Sequence, residues 1–274
     1  MKYDVTVIGS GPGGYVAAIR CAQLGMKTAI IEKESTLGGT CLNVGCIPSK
    51  ALLDSSEHFH NAQKTFAEHG VMLDNLAVDM NQMIDRKAKV VDENVKGIDF
   101  LMKKNKIDVI NGFGSFKDAN TILVTAADGT VTEISTTKAI IATGSVPNIP
   151  ASFNFDGKRI ISSTEALEIR EVPKRMIVVG GGVIGMELGS VFGRLGTEIE
   201  VVEYMERIIP TMDKDCGKQL QRSLKGLGFK FHLKHMVNEV QPTENGVKVI
   251  VQKRDSEDTF EIEADYCLVS IGRK

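Results

Sequence analysis

The feature that most constrains this chain is an internal repeat. The segment Val5–Gly14 (VTVIGSGPGG) resembles a second segment that begins at Ile177 (IVVGGGVIG), and Gly180 lies 171 residues (180 − 9) after Gly9. The same offset pairs the other glycines and one acidic residue of each copy: Gly11 with Gly182, Gly14 with Gly185 and Glu32 with Glu203. Each copy therefore predicts an apolar strand, a glycine-rich turn, a helix and a second strand that ends in a carboxylate.

This pattern is typical of dinucleotide binding. The first glycine allows the tight turn after the strand, the second lets a pyrophosphate approach the backbone, and the third lets helix and strand pack closely. The pyrophosphate then lies at the positive end of the helix dipole. An acidic residue about 20 residues further on accepts hydrogen bonds from a ribose. One such motif is weak evidence, but two complete copies in register predict two nucleotide-binding domains.

We therefore predict an α/β fold of two Rossmann-like, three-layer domains, each with a small β meander. The predicted boundary lies near Pro150, which gives domains of residues 1–150 and 151–274. Apolar residues at helical spacing predict a long helix over 78–104, and alternating runs predict the first meander over 107–138. The remaining predicted elements are strands over 138–142 and 266–271, a helix over 213–227 and a hairpin over 246–265.

Composition argues against several classes of protein. The 274 residues are 42% hydrophobic and carry a net charge of −2, so nothing indicates a nucleic-acid-binding surface. No apolar run reaches the roughly 18 residues that a membrane helix needs. The strand pattern follows directly on Met1, which predicts no signal peptide and favours the cytoplasm. Five cysteines in a chain of this length argue against a secreted disulfide framework.

Two cysteines follow the first copy closely, and the second copy has no counterpart. Cys41 and Cys46 lie in the segment GGTCLNVGCIPSK, where a helix is expected to begin. A metal site would need more cysteine or histidine ligands nearby, and a loop this short constrains the unfolded chain too little for a structural disulfide. We therefore predict a redox-active pair. Lys50 is expected one turn after Cys46 on the same helix face, where a cation stabilises a thiolate.

The same segment carries a family resemblance. It resembles the active-site signature of the pyridine nucleotide–disulfide oxidoreductases, and its leucine form, CLNVGCIPSK, is most similar to the dihydrolipoamide dehydrogenases within that family. The segments ATG at 142–144 and VSIGR at 269–273 resemble two further family motifs. The resemblance therefore covers the whole chain.

The resemblance implies two cofactors. The first copy would bind FAD, and the second would bind NAD. The residues implied for FAD are Gly9, Gly11, Gly14, Glu32, Gly39, Thr40, Lys50, Thr143 and Gly144. The residues implied for NAD are Gly180, Gly182, Gly185, Glu203 and Gly272. No metal is expected.

The resemblance also implies a reaction and its partners. Cys41 would be the thiol that meets dihydrolipoamide, Cys46 the thiol that contacts the flavin, and Lys50 would lie by the flavin and pair with Glu187. Electrons would pass from dihydrolipoamide through a Cys41–Cys46 disulfide and FAD to NAD+. The expected partners are a second copy of the chain and the dihydrolipoamide-bearing carrier domains of 2-oxoacid dehydrogenase or glycine cleavage complexes, in the cytoplasm or, alternatively, the mitochondrial matrix.

Some features depart from the family pattern. The family's later flavin-binding segment and its C-terminal interface domain, with an acid–base histidine, are missing from the sequence, so this chain alone is expected to be poorly active. The five histidines are expected at the surface, and the other three cysteines are expected to be structural: Cys21, Cys216 and Cys267.

Two alternative functions stay open. Besides the oxidation of dihydrolipoamide, the alternatives are a non-catalytic nucleotide-binding fragment and an enzyme like glutathione reductase or mercuric reductase, which favour NADPH. Glu203 argues for NAD because a carboxylate repels a 2′-phosphate, but Arg207 lies only four residues on.

Overall fold

The computed structural model describes residues 2–274, which form two compact units. The first consists of the chain up to Pro48 together with Ala88–Ser145, and the second consists of Ser49–Lys87 together with Val146–Lys274. The change of unit at Ser145 lies close to the predicted break at Pro150. The sequence pattern did not anticipate that the helical segment 49–87 belongs to the second unit.

The first unit is built on one six-stranded sheet. Its strands are β1 (Lys2–Ile8), β2 (Thr28–Glu32), β3 (Asp108–Asn111), β4 (Phe113–Asp118), β5 (Thr121–Thr125) and β6 (Val131–Ile141), in the order β3-β2-β1-β6-β5-β4. The first four in that order are parallel, and β6, β5 and β4 are antiparallel. The meander and the parallel sheet therefore share β6, where we predicted two separate strands. Strand β3 belongs to the parallel part and not to the meander.

Four helices begin in the first half of the chain. They are α1 (Pro12–Gln23), α2 (Gly39–Val44), α3 (Cys46–Lys64) and α4 (Met80–Lys104). Helix α4 confirms the long helix predicted over 78–104. Its last turns supply Ile98 and Met102 to a core that also contains Val5, Val7 and Ile30 of the parallel strands.

The second unit repeats the design with a parallel sheet and a separate antiparallel sheet. The parallel strands are β7 (Ile160–Ile161), β8 (Arg175–Val179), β9 (Glu198–Glu203), β10 (Lys230–Leu233) and β14 (Tyr266–Val269), in the order β10-β9-β8-β14-β7. The antiparallel strands are β11 (His235–Pro242), β12 (Val247–Lys253) and β13 (Thr259–Ala264). The helices are α5 (Ser163–Ala166), α6 (Val183–Arg194) and α7 (Lys214–Gly226). The predicted hairpin, final strand and helix over 213–227 are all present.

The segment 49–87 joins the second unit because it is part of that unit's core. Leu52, Met80 and Ile84 are almost fully buried in one apolar cluster with Met176 and Val201 of the parallel sheet. Burial of such a side chain contributes about 1.5–3 kcal/mol. The ammonium of Lys87, itself buried, donates to the Leu167 carbonyl at 3.0 Å and caps the end of α5. Among residues 2–274, no helix is both long and apolar enough to cross a membrane.

Candidate nucleotide and disulfide site

The two glycine turns have the same geometry. Gly9 and Gly180 have φ values of +98° and +100°, which glycine adopts without strain. The backbone N–H of each donates to a carbonyl of the neighbouring strand, directly before the acidic residue of that copy. Gly9 donates to the Ile31 carbonyl at 2.8 Å and Gly180 to the Val202 carbonyl at 2.9 Å. A Cβ atom would lie 2.3 Å from the Ala142 carbonyl oxygen at Gly9 and 2.5 Å from that of Ser270 at Gly180. Only glycine fits at either turn.

The remaining glycines divide into packing positions and open positions. A Cβ on Gly14 or Gly185 would lie 1.9 or 2.5 Å from the carbonyl oxygen of the first glycine of its copy, so both are needed for close helix packing. Gly11 and Gly182 instead cap the N-termini of α1 and α6 with extended backbone. At Gly182, a Cβ would meet no atom of residues 2–274 within 4 Å. The open position is where a pyrophosphate is expected to approach the backbone.

The two acidic residues are bound to their loops in the same way. Glu32 Oε2 accepts from the Ser10 N–H at 2.9 Å, and its Oε1 accepts from the Glu34 N–H at 3.0 Å. Glu203 Oε2 accepts from the Gly181 N–H at 2.5 Å, and its Oε1 accepts from the Met205 N–H at 2.7 Å. Both carboxylates are buried at the ends of their strands. The Oε1 atom of each carboxylate has a further lone pair, so both residues can still accept from a ribose hydroxyl.

Glu32 has one partner that Glu203 lacks. The Ser10 hydroxyl donates to Glu32 Oε2 at 2.5 Å, whereas the corresponding residue of the second copy is Gly181. Burial by itself raises the pKa of Glu32, but the hydrogen bonds from the Glu34 backbone and from Ser10 outweigh it and hold the pKa below its usual range. Glu32 is therefore kept as a carboxylate.

The second copy faces a cleft of about 910 Å³ within its unit. The cleft lies at the carboxyl ends of β8, β9 and β14, where Val179, Val202 and Val269 line it. This is where open α/β sheets bind ligands, and the volume suits a dinucleotide. Four of the five residues predicted for NAD line it: Gly180, Gly182, Glu203 and Gly272. Gly185 does not, because it packs against the strand.

The cysteines follow the first copy on a segment that lies against its glycine turn. A Cβ on Gly39 would lie 2.6 Å from the Gly11 Cα, so the segment touches the loop where Gly11 caps α1. Thr40 is exposed, Cys41 is half-buried in α2, and Cys46 is exposed as the first residue of α3. The segment that carries both cysteines is therefore in contact with the predicted FAD loop through Gly39.

Two residues that we did not predict shape the cysteine segment. A Cβ on Gly45 would lie 2.7 Å from the Thr40 carbonyl oxygen and 3.2 Å from the Cys41 Cα, so this glycine lets the end of α2 fold back on Cys41. The Asn43 amide donates to the carbonyls of Leu37 and Gly39 at 3.0 and 2.9 Å, which braces the loop from inside. Both belong to the segment GGTCLNVGCIPSK, and a glycine directly before a second cysteine was the available signal.

The pairing implied for Lys50 and Glu187 is present in the second unit. The Lys50 ammonium donates to both Glu187 carboxylate oxygens, at 2.7 and 2.8 Å. Lys50 lies on α3, the helix that begins at Cys46, and Glu187 lies on α6, the helix that begins at the second glycine turn. The helix that begins at a cysteine is thus bound to the helix that begins at a nucleotide loop.

The two later motifs lie opposite the first glycine of each copy. Thr143 and Gly144 follow β6, and the Thr143 Cα would lie 3.2 Å from a Cβ on Gly9. Gly272 follows β14 in the same way, after Ser270, whose hydroxyl donates to the Val179 and Gly180 carbonyls at 3.0 Å. Gly144 and Gly272 both have positive φ, at +72° and +114°. Each copy is therefore closed by a turn from a strand that comes later in the chain.

The expectations about the five histidines and the three remaining cysteines hold only in part. His58 and His69 are exposed as expected, but His60, His232 and His235 are half-buried, and His235 lines the cleft. The His235 Nδ1 lies 2.7 Å from the Leu233 carbonyl oxygen, so it carries the proton. Cys267 is buried, which raises its pKa to about 12, whereas Cys216 is exposed and Cys21 is half-buried. The Arg207 guanidinium donates to the Pro210 carbonyl at 2.8 Å.

Comparison with known proteins agrees with this arrangement. The family model for the pyridine nucleotide-disulphide oxidoreductases matches residues 3–274. The chain belongs to this family. It is similar to a mitochondrial dihydrolipoyl dehydrogenase of Pisum sativum, with 49% identity over 98% of this chain and 54% of the pea protein. It is also similar to dihydrolipoyl dehydrogenase 3 of Pseudomonas putida, with 44% identity over the whole chain and 59% of that protein.

A solved structure gives the same fold. The Cu(II) complex of the HOCl-induced flavoprotein disulfide reductase RclA from Escherichia coli aligns with a TM-score of 0.82 at 26% identity. The alignment covers all of this chain and 57% of the other. The chain thus spans about half the length of the relatives that it matches.

Proposed function

We propose that this chain is the nucleotide-binding half of a flavin-dependent disulfide oxidoreductase that oxidises dihydrolipoamide and reduces NAD+. The observation that carries the proposal is the position of the cysteine segment. It follows only one of two matching nucleotide loops and lies directly against that loop, and the other loop faces an open cleft. One loop thus serves a cofactor beside the cysteines, and the other serves a second nucleotide.

The residues present fit FAD at the first loop and NAD at the second. The N-terminus of α1 after Gly11 and that of α6 after Gly182 each offer backbone N–H groups to a pyrophosphate. Glu32 and Glu203 are each placed to accept hydrogen bonds from a ribose. When bound, FAD supplies the route by which two electrons pass from a cysteine pair to NAD+.

The cysteines would carry the exchange of thiol and disulfide. A thiolate of dihydrolipoamide attacks the Cys41 sulfur, the Cys41–Cys46 bond breaks, and Cys46 leaves as a thiolate. The second thiol of the substrate loses its proton to a base and attacks the mixed disulfide, which releases lipoamide and the Cys41 thiolate. Cys46 is the first residue of a 19-residue helix and therefore lies at the positive end of the helix dipole. The base is assigned by resemblance to a histidine in the half of the relatives that this chain does not span.

The geometry favours NAD over NADP. Glu203 lines the cleft with its carboxylate held by two backbone N–H groups, and it would repel a 2′-phosphate. Arg207, which an NADPH enzyme could use to bind that phosphate, donates instead to the Pro210 carbonyl. This argues against a glutathione reductase-like or mercuric reductase-like enzyme. The proposed partners are a second copy of the chain and lipoyl-bearing carrier domains, in the cytoplasm or the mitochondrial matrix.

The test is to purify the chain and to record its flavin absorbance, its binding of NADH, and its dihydrolipoamide:NAD+ turnover with added FAD. A yellow protein that transfers electrons from dihydrolipoamide to NAD+ supports the proposal. We expect residues 1–274 alone to turn over about 10²–10⁴ more slowly than a chain extended through the rest of the family's length, because the histidine assigned as the base lies in the part of the relatives that these residues do not span. A protein that binds NADH but no flavin would instead be a nucleotide-binding fragment.

A further inference from the structure

The ion pair between Lys50 and Glu187 has a counterpart further along the same two helices. The Arg194 guanidinium of α6 forms an ion pair with the Glu57 carboxylate of α3. On each helix the two charged positions are seven residues apart, which is two helical turns. The helices therefore run side by side in the same direction, with both ion pairs on the face that they share. In the first pair the cation lies on α3, and in the second pair it lies on α6.

The cation of the second pair is better sheltered than the cation of the first. The Arg194 side chain is 22% exposed, compared with 56% for Lys50. Its other nitrogen, Nη1, also donates to the Leu53 carbonyl of α3 at 3.4 Å. The neighbouring Leu52 is fully buried in the same apolar cluster as Met186 of α6. Arg194 thus holds both the backbone and a side chain of α3.

The internal repeat shows that nucleotide binding does not require these charges. The 171-residue offset places Glu187 on Val16 and Arg194 on Gln23 of α1, which occupies the corresponding position in the first copy. Neither residue can form an ion pair, although α1 matches α6 in length and in its glycine cap. The charges on α6 therefore serve its contact with α3.

We propose that Glu57 and Arg194 are positioning residues that set the register of α3 on α6. The pair keeps the Lys50 amine on Glu187, one turn along α3 from Cys46. The proposed effect of the Glu57–Arg194 pair on Lys50 depends only on residues of the second unit. Its purpose, a fixed Lys50 on the helix that begins at Cys46, rests on the proposed function.

The test measures the reactivity of Lys50 in the whole chain without cofactor or substrate. Trace acetic anhydride labels lysines in proportion to their accessible neutral amine, and mass spectrometry reads each site. Glu57→Gln and Arg194→Gln should each speed the labelling of Lys50 about two- to fivefold, which corresponds to the loss of a partly exposed ion pair. The charge-reversed double variant Glu57→Arg/Arg194→Glu should return the rate towards that of the wild type.

The direction of the two single effects decides between positioning and simple electrostatics. If charge acted only through space, loss of the Glu57 anion and loss of the Arg194 cation would change Lys50 labelling in opposite directions. Positioning requires both variants to speed it. The matched control is Arg159→Gln, which breaks the ion pair with Glu171 in the same unit and should leave Lys50 unchanged. Opposite signs, or a Lys50 rate unchanged while the melting temperature falls, would overturn the proposal without bearing on turnover.

Discussion

The backbones of the two copies make equivalent hydrogen bonds as far as Gly38 and Ile209, and they diverge after these residues. The Gly38 N–H donates to the Ser10 carbonyl at 3.1 Å, and its counterpart at the same offset, Ile209, donates to the Gly181 carbonyl at 2.8 Å. After Gly38 the chain enters α2 and the cysteines. After Ile209 it reaches Pro210 and Thr211, which line the cleft. The common frame therefore ends where the chemistry of each copy begins.

The residue at this junction shows what the divergence requires. Gly38 has φ of +99°, and a Cβ there would lie 2.5 Å from the Leu42 side chain, so α2 can begin only after glycine. Ile209 has φ of +41°, a conformation that costs a β-branched residue on the order of 1–3 kcal/mol. The second copy tolerates that strain because Ile209 is buried in the core of its unit. Each of the following predictions changes one copy and uses the other, or a matched residue, as its reference.

The largest expected effect is on the chemistry that only the first copy has. Cys46→Ser should lower dihydrolipoamide:NAD+ turnover at least about a thousandfold, because serine cannot form or break the disulfide. Peptide mapping of the oxidised protein should show a Cys41–Cys46 linkage. Cys216→Ser, which changes an exposed cysteine of the second unit, should leave both results unchanged. A linkage that involves Cys216 would mean that the active pair is wrongly assigned.

The next effect separates glycines that shape a loop from those that face a ligand. Gly180→Ala should destabilise its unit by about 3 kcal/mol or more, because the Cβ would lie 2.5 Å from a backbone oxygen at φ of +100°. Gly182→Ala should leave the melting temperature unchanged but weaken NADH binding at least about tenfold, since its Cβ would enter the open cleft. Calorimetry measures both quantities. Gly9→Ala should repeat the Gly180 result in the first unit. A Gly182→Ala variant with a clearly lower melting temperature would contradict the division between glycines that shape a loop and glycines that face a ligand.

A smaller effect concerns which nucleotide the second copy selects. The wild type should bind NADH at least about tenfold more tightly than NADPH, because the Glu203 carboxylate opposes a 2′-phosphate. Glu203→Gln should narrow the ratio of NADH to NADPH affinity while retaining an amide oxygen for one of the two loop N–H groups. Titration of intrinsic NADH fluorescence at constant ionic strength measures both affinities. If Glu203→Gln weakens the binding of NADH and of NADPH by the same factor, Glu203 shapes the loop but does not select the nucleotide.

The sequence predicted the parts of the site that depend on local geometry. The glycine turns, their acids and the long helix over 78–104 follow from spacing alone, because each is formed within one short segment or one repeat. The sequence did not predict that 49–87 joins the second unit, since this depends on Leu52 and Ile84 packing against distant strands. The Glu57–Arg194 pair and the position of His235 in the cleft were missed for the same reason: residues far apart in sequence meet there, and no local pattern marks them.

The smallest predicted effect is the pH dependence that the hydrogen bonds of Glu32 give to the stability of the first copy. Hydrogen bonds hold the pKa of Glu32 below its usual range despite burial, so the native protein binds its proton less readily than the unfolded chain. This contribution to stability is complete above the unfolded pKa of about 4.3 and is lost as the pH falls through the lower native pKa. Glu32→Gln should therefore cost about 1 kcal/mol of unfolding free energy at pH 7, and that difference should shrink below about pH 4. Urea unfolding of both proteins across this range measures it, with the exposed neighbour in Glu34→Gln as the control. If the difference stays constant down to pH 3, the charge of Glu32 is not what stabilises the loop, and the two copies differ only in their side-chain contacts.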